Sequence, residues 1–411
     1  MLGWSAPLTF VRPADSSDWI TFREKLGYDI NAPLSWEERF FQLSVDSRGY
    51  LLVMQDFPGR FWKDIGRVNR PGYMVAGNIV CRTVSGIVRL PFRGINGFFQ
   101  PCIYSVTWAT AFLLNWTIYV SAVLGFYHLL NYWQFSGTIA LLSAMHLAMA
   151  RFFTWRLATI SSSLPVIALA VAVMWIVSII YKKAKTLNGD YWAILPGLWL
   201  GGMAWVKPQY DILAVGWSVL LYFRYWRAVI GSFVMHIVFV GTWIAIVIYG
   251  FSLPYVNFEV TQYRSGLWLF DDFIHWSWLE QLVYMIDYTK LYISIAHTSY
   301  GVVILGAFVI GIIVFIMQKR WRWLAFVTVA IVWNYLFIFA IRRYGDLYTG
   351  EIFYVIYPLS IWGISYLIQK APAQWHNRLL GIYFVVAVFG NWALHPWRFE
   401  PVPLEQWYQL F

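Results

Sequence analysis

The sequence predicts an all-α polytopic membrane protein, with about ten transmembrane helices preceded by an N-terminal region of interfacial amphipathic helices. Three observations carry that prediction. Of the 411 residues 60% are hydrophobic and 12% charged, whereas about a quarter of a soluble domain is charged. From about residue 100 onward, apolar runs recur at lengths near the roughly 20 residues that a bilayer crossing needs. The aromatic share is 20%, with 26 Trp and 27 Tyr, and rings with a polar edge are favoured at the headgroup level as well as in packed cores.

Residues 1–45 are mixed and polar, broken by Pro7, Pro13 and Pro33, with SWEERFFQL reading as a short amphipathic helix. The opening MLGWSAPLTFVRPADSSDW turns polar before any apolar h-region forms, so no cleaved signal is expected there. Residues 46–73, DSRGYLLVMQDFPGRFWKDIGRVNRPGY, gather a large share of the polar chemistry. Two further amphipathic helices are expected at 50–55 and 73–90, separated by Pro58, Gly59 and the Arg70-Pro71-Gly72 break. The second carries Arg82 and Arg89, and arginine near mid-bilayer costs at least ~2.5 kcal/mol on insertion scales. It is therefore assigned to the interface, which makes residues 1–100 a polar, interfacial region.

Spans are then expected near 102–128, 136–150, 157–181, 191–205, 210–223, 229–250, 300–318, 322–341, 352–369 and 379–396. The organisation is thus an interfacial region 1–100, transmembrane helices 101–250 with a break at 207–211, a long loop 251–299, and C-terminal transmembrane helices 300–411. The break, Lys207-Pro208-Gln209-Tyr210-Asp211, separates two short pieces. Such a break is tolerated at membrane depth only where it faces protein or a water-filled cavity.

Alternating the spans places Lys182, Lys183, Lys185, Arg224, Arg227, Lys319, Arg320, Arg322, Lys370 and Arg378 on one side, with Asp190 the one acidic residue there out of 20. By the positive-inside rule that side is cytoplasmic. Both termini, residues 46–100, the break at Lys207 and the loops 251–299 and 342–351 then face outward together. The net charge of +10 reads as loop sidedness and anionic-lipid contact rather than nucleic-acid binding. Cys81 and Cys102, the only two cysteines, form no ligand cluster or framework and read as structural.

Four sets of outward residues carry candidate chemistry. The first is Asp46, Asp56 and Asp64, ahead of Arg67 and Arg70. A carboxylate beside a cavity can take the proton of an acceptor hydroxyl, a role worth typically about 10²–10⁴ in rate; the competing reading is a solvated loop charge. Lys207, held at the helix break, can meet a phosphate as a point charge or serve as a snorkelling anchor. Arg342, Arg343 and Tyr344 close a span ahead of Asp346 and Glu351; a guanidinium fork matches phosphate oxygens, and anionic lipid suits it equally. The fourth set is the 251–299 loop, with Glu259, Arg264, Asp271, Asp272, His275, Glu280 and Asp287 among Trp268, Trp276 and Trp278. Carboxylates beside tryptophans suit sugar binding through hydroxyl bonds and ring stacking, and an interfacial helix explains the same tryptophans.

The seven histidines show no i, i+3 or i, i+4 pair and no H-E-x-x-H or Cys/His cluster. Asn115-Trp116-Thr117 matches a glycosylation sequon within an expected span and should be unmodified.

The arrangement resembles the C-type (GT-C) superfamily of polytopic membrane glycosyltransferases. Asp46-Ser-Arg-Gly-Tyr50 and Asn69-Arg-Pro-Gly-Tyr73 occupy the places of that family's early acidic residue and Arg-Pro stretch. Lys207-Pro208-Gln209, followed by Arg224-Tyr-Trp-Arg227, is similar to its mid-chain break and cytoplasmic turn, and Arg343-Tyr344-Gly345 with Tyr354 to Pro358 is similar to its late outer loop. Two features depart from the pattern: no span precedes Asp46, and serine follows it in place of a second acid, with Asp56 the next candidate.

The resemblance implies an inverting transfer of a sugar from a polyprenyl-phosphate donor to an acceptor on the outer face of the plasma (inner) membrane. Asp46 would be the base, with Asp56 beside it in the catalytic set. Lys207, Arg342, Arg343 and Tyr344 would hold the donor phosphate, and Arg70, Arg264, Asp271 and Asp272 the sugar or acceptor. No cofactor or metal is required, and an aspartate-bound divalent cation is compatible with the scheme. The partners are the lipid-linked sugar and membrane lipids. The alternative is a non-catalytic membrane subunit of a larger complex that binds lipid or docks protein partners through its N-terminal region, which accounts for the two departures. Transport would draw on the broken pair around Lys207.

Overall fold

The computed structural model describes residues 50–51, 53–56, 71–157, 163–184, 226–250, 267–341 and 350–394. Among the described residues the regular structure is helical, with no strand, as the composition predicts. After a helical turn at residues 50–55 come α1 (Pro71–Arg93), a 3₁₀ turn (Gly94–Phe99), α2 (Tyr104–Tyr132), α3 (Gly137–Met149), α4 (Arg151–Leu157), α5 (Ser163–Ala184) and α6 (Trp226–Ala245). The later elements are α7 (Leu267–Asp271), α8 (Trp278–Tyr300), α9 (Val302–Met317), α10 (Trp321–Ile341), α11 (Phe353–Ile368) and α12 (His376–Leu394).

The spans expected at 102–128, 136–150, 157–181, 229–250, 300–318, 322–341, 352–369 and 379–396 each meet a helix; those at 191–205 and 210–223 lie outside the described residues. Length separates them. Among the described residues, two helices are long and apolar enough to cross a membrane, Ser105–Tyr132 and Trp321–Ala340, and a third crossing is available if α8 and α9, which meet at 105°, count as one span. Others are apolar but short: α3 has 13 residues and at 1.5 Å per residue extends about 20 Å, less than the roughly 30 Å hydrocarbon core.

The described chain groups into two compact units. The first holds α1, α2 as far as Gly125, residues 153–157, α5 and most of α6. Here α1 and α2 form an antiparallel hairpin. The Tyr73 hydroxyl donates to Asn115 Oδ1 at 2.7 Å, Cys81 Sγ lies 3.4 Å from Thr107 Oγ1, and Ser85 Oγ accepts from Ile103 N at 3.1 Å. Positions therefore rise on one helix as they fall on the other. The helix expected in the interface is paired along the start of a candidate span. Arg89 sits near the end of α1 beside the linker to α2, where its Nη1 donates to Pro101 O at 2.7 Å.

The outer face of α1 is apolar, with Ile79, Val80, Val84, Ile87 and Val88 exposed, while Asn78, Cys81 and Ser85 are buried against α2. Polar inside and apolar outside is the reverse of a helix on a soluble domain and suits one whose neighbour is lipid. Deeper in the unit, Tyr119 stacks on Phe153 at 4.7 Å, and Trp175 Nε1 donates to Gly125 O at 2.7 Å. Asn115, the sequon residue, is fully buried and uses both ends of its amide, accepting from Tyr73 and donating to Leu157 O at 3.0 Å.

The second unit holds the end of α2, α3 and the elements from α7 to α12. Its centre is α11, buried continuously from Glu351 to Ile361 as expected of a helix that is apolar all round. α9 crosses it in backbone contact: a Cβ on Gly311 would collide with Leu359 O, and one on Gly363 would stand 2.5 Å from Gly311 N. α8 begins with a capping box, Ser277 Oγ accepting from Glu280 N while a Glu280 carboxylate oxygen accepts from Ser277 N at 2.8 Å. Ser277→Ala is expected to lower stability by about 1 kcal/mol, read as a fall in melting temperature of the purified protein. The bend into α9 falls at Gly301, whose φ of +80° disfavours a side chain.

Candidate functional site

On either side of two stretches that carry candidate charges, 57–70 and 342–349, both outside the described residues, the chain is held by buried hydrogen bonds, one set in each unit. In the first unit the chain is described as far as Asp56 and again from α1. Its outgoing root is fixed by Asn78 Nδ2 donating to Met54 O at 2.6 Å and Cys102 N donating to Gln55 O at 2.9 Å. Its returning root is fixed by Tyr73, bonded to Asn115 and edge-on to the Tyr50 ring at 5.7 Å. Tyr50, Val53, Met54, Tyr73 and Met74 are all buried, so both roots belong to the packed core. Asp56, half-buried, stands where the loop departs.

In the second unit the segment containing Arg342, Arg343 and Tyr344 leaves the end of α10 and returns at Gly350. Trp268 Nε1 donates to Ala340 O at 2.8 Å, and the Tyr300 hydroxyl donates to Gly350 O at 2.9 Å. Each donor comes from another element, α7 and α8, so the bonds tie the segment to its neighbours. Tyr300→Phe removes one of them from a fully buried site and is expected to cost about 1–3 kcal/mol, measurable by thermal unfolding.

The tryptophans expected to stack on sugar divide. Trp268 is wholly buried at the centre of a cluster with Tyr288, Tyr292, Phe337, Ile338 and Phe339; its role is packing. Trp276 is half-buried and packs on the same cluster, while Trp278 is 75% exposed. The residues that notched the 251–299 segment as a loop are helical from Leu267: the ring-rich faces of α7 and α8 close on α10. Tyr292 donates to Asn334 Oδ1 at 2.8 Å and Tyr288 to Tyr335 O at 2.7 Å. Asp271 is exposed and Asp272 half-buried at the start of the 3₁₀ turn Phe273–His275.

Asp46, Arg70, Lys207, Arg264, Arg342, Arg343 and Tyr344 lie outside the described residues. Two further buried polar residues stand in the second unit: Glu351, named in the sequence only as following the Arg342 set, and His146, which the sequence did not offer as a site residue. Glu351, 3% exposed, follows the Arg342 segment directly and is electrostatically coupled to Tyr300. A glutamate two residues ahead of an apolar span was the available signal. His146, 2% exposed, stacks on Tyr357 at 5.4 Å and packs against Tyr383 and Phe384. A lone histidine in an apolar helix carries no pattern that would single it out. Among the described residues no group of three or more His, Cys, Asp or Glu could hold a metal ion.

The class that fold and composition define is an all-α protein with helices long and apolar enough to cross a membrane. Compared with known proteins, the chain matches no family model, no curated protein and no solved structure.

Proposed function

We propose that the chain is a membrane glycosyltransferase that moves a sugar from a polyprenyl-phosphate donor to an acceptor on the outer membrane face, with inversion. The observation that carries this reading is the anchoring of both charged loops. Segments that enter and leave a rigid scaffold are where catalytic and binding groups concentrate; the buried bonds fix the chain just before Asp56 and at Tyr73, and on either side of the stretch that carries Arg342, Arg343 and Tyr344. The motif order along the chain, early aspartate, mid-chain Lys-Pro break and late arginine pair, supports it independently.

In this mechanism Asp46 removes the acceptor hydroxyl proton as that oxygen attacks C1 of the donor sugar from the face opposite the phosphate. The bond from C1 to the phosphate oxygen breaks, and polyprenyl phosphate leaves as an anion. Lys207, Arg342 and Arg343 stabilise the departing charge, and Tyr344 orients it; fixed donors aimed at developing charge are a large catalytic term. Arg70, Arg264, Asp271 and Asp272 bind sugar or acceptor hydroxyls, and Asp56 supports the base. The reading includes ten spans, with the helices that fall short of a full crossing sharing bilayer depth with protein neighbours.

The test is turnover by purified protein given radiolabelled polyprenyl-phosphate sugar and a membrane extract as acceptor source. Label leaving the lipid fraction for an acceptor supports the transferase. A stoichiometric assembly with other membrane proteins and no transfer supports the subunit reading.

A further inference from the structure

We propose that Cys81 and Cys102 form a disulfide that staples α1 to the linker opening α2. The chain holds two cysteines in 411 residues, and the hairpin brings them into one neighbourhood: Ser85 Oγ, 4.0 Å from Cys81 Sγ, accepts from the backbone N of Ile103, the residue after Cys102, at 3.1 Å, and Asn78, less than a turn before Cys81, reaches Cys102 Sγ. Two arbitrary positions in a chain of this length seldom meet, and both of these are buried. Their surroundings are the polar seam of the hairpin. Cys81 Sγ lies 3.4 Å from Thr107 Oγ1, and Cys102 Sγ lies 3.5 Å from Met54 O. Asn78 Nδ2 bonds Met54 O at 2.6 Å and stands 3.9 Å from Cys102 Sγ. The staple would therefore lock the hairpin beside the outgoing root of the loop that follows Asp56.

The inference rests on the outward placement of this end of the hairpin, because disulfides persist in oxidising compartments and are rare where thiols are kept reduced. Chemically, one cysteine thiolate attacks an external disulfide, R–S–S–R, forming a mixed disulfide and releasing RS⁻. The second cysteine thiolate attacks the protein sulfur of that mixed disulfide and releases the other RS⁻. Two protein thiols are oxidised, one external disulfide is reduced to two thiols, and the two cysteine protons go to them. The exchange takes place as the chain emerges, before α1 packs; burial then shields the product from reductants.

The test uses the full-length protein in its native membranes. Thiols are blocked with N-ethylmaleimide in SDS, the sample is reduced, and newly exposed thiols are marked with a heavy maleimide before peptide mass spectrometry. The expected result is heavy label on both Cys81 and Cys102, a linked peptide without reduction, and a melting temperature that falls by several degrees on reduction. N-ethylmaleimide on both residues overturns the proposal. In that event, reduced purified protein exposed to oxidised glutathione locates the failure. A link that forms there shows the geometry sound and the outward placement wrong; no link shows the pairing itself wrong. Neither result bears on sugar transfer, which the turnover assay reads separately.

Discussion

Asp46→Asn is expected to reduce sugar transfer by about 10²–10⁴, the range a positioned base supplies, while the purified protein keeps its helicity and melting temperature. Asparagine is close in shape to aspartate and cannot take a proton from the acceptor hydroxyl, so the loss should fall on turnover rather than donor binding. Asp56→Asn serves as the comparison. Asp56 lies where the loop leaves the core and is assigned a supporting role, so its loss should be smaller. Unchanged turnover in Asp46→Asn would remove the assigned base; full loss in Asp56→Asn with normal Asp46→Asn would transfer the role to Asp56.

The second large effect is structural. Gly311→Ala is expected to cost about 3 kcal/mol, the upper end of what added core volume costs, because the new methyl group meets the main chain at Leu359 O. A backbone atom cannot move aside as a side chain can, so α9 and α11 must separate, and α11 is the helix around which the second unit packs. Gly306→Ala, five residues earlier on the same helix, has open space at its Cβ and should be neutral or slightly stabilising, since alanine favours helix over glycine by about 1 kcal/mol. Melting curves of the two variants in detergent decide the matter; equal behaviour would mean that the crossing is looser than described.

The helical class was legible because composition and apolar run length are properties of the sequence itself; eight of the expected spans meet a helix, and among the described residues two of those helices, or three if the bent pair counts as one, are long and apolar enough to cross a membrane. What periodicity could not supply was pairing. Residues 73–90 read as an interfacial helix because Arg82 and Arg89 were costed as if at mid-bilayer. Contacts such as Tyr73 with Asn115 and Arg89 with Pro101 are what reveal the hairpin. The sequence left Trp268 open between sugar stacking and an interfacial helix, because an indole that stacks on a sugar and one that plugs a core have the same local sequence; its bond to Ala340 O spans 72 residues.

The candidate site was legible as residue types and not as geometry. Charges in loops stand out against an apolar chain, so Asp56, Asp271 and Asp272 were found by scarcity. The groups that hold the loops, Asn78, Asn115 and Tyr300, are polar residues within apolar helices, where no local pattern separates a structural hydrogen bond from a functional one. Cys81 and Cys102 stood 21 positions apart with no motif between them, and their meeting depends on the hairpin register.

The central claim is that the early carboxylate and the later cations serve one site on one membrane face. Single-cysteine variants at Asp46, Lys207 and Arg343, expressed in intact cells and treated with a membrane-impermeant maleimide, test it most directly, with the parent protein as background. The account predicts labelling of all three from the outside, each suppressed by added polyprenyl phosphate. Labelling of Asp46→Cys from one side and of Lys207→Cys or Arg343→Cys only after the cells are opened would contradict it.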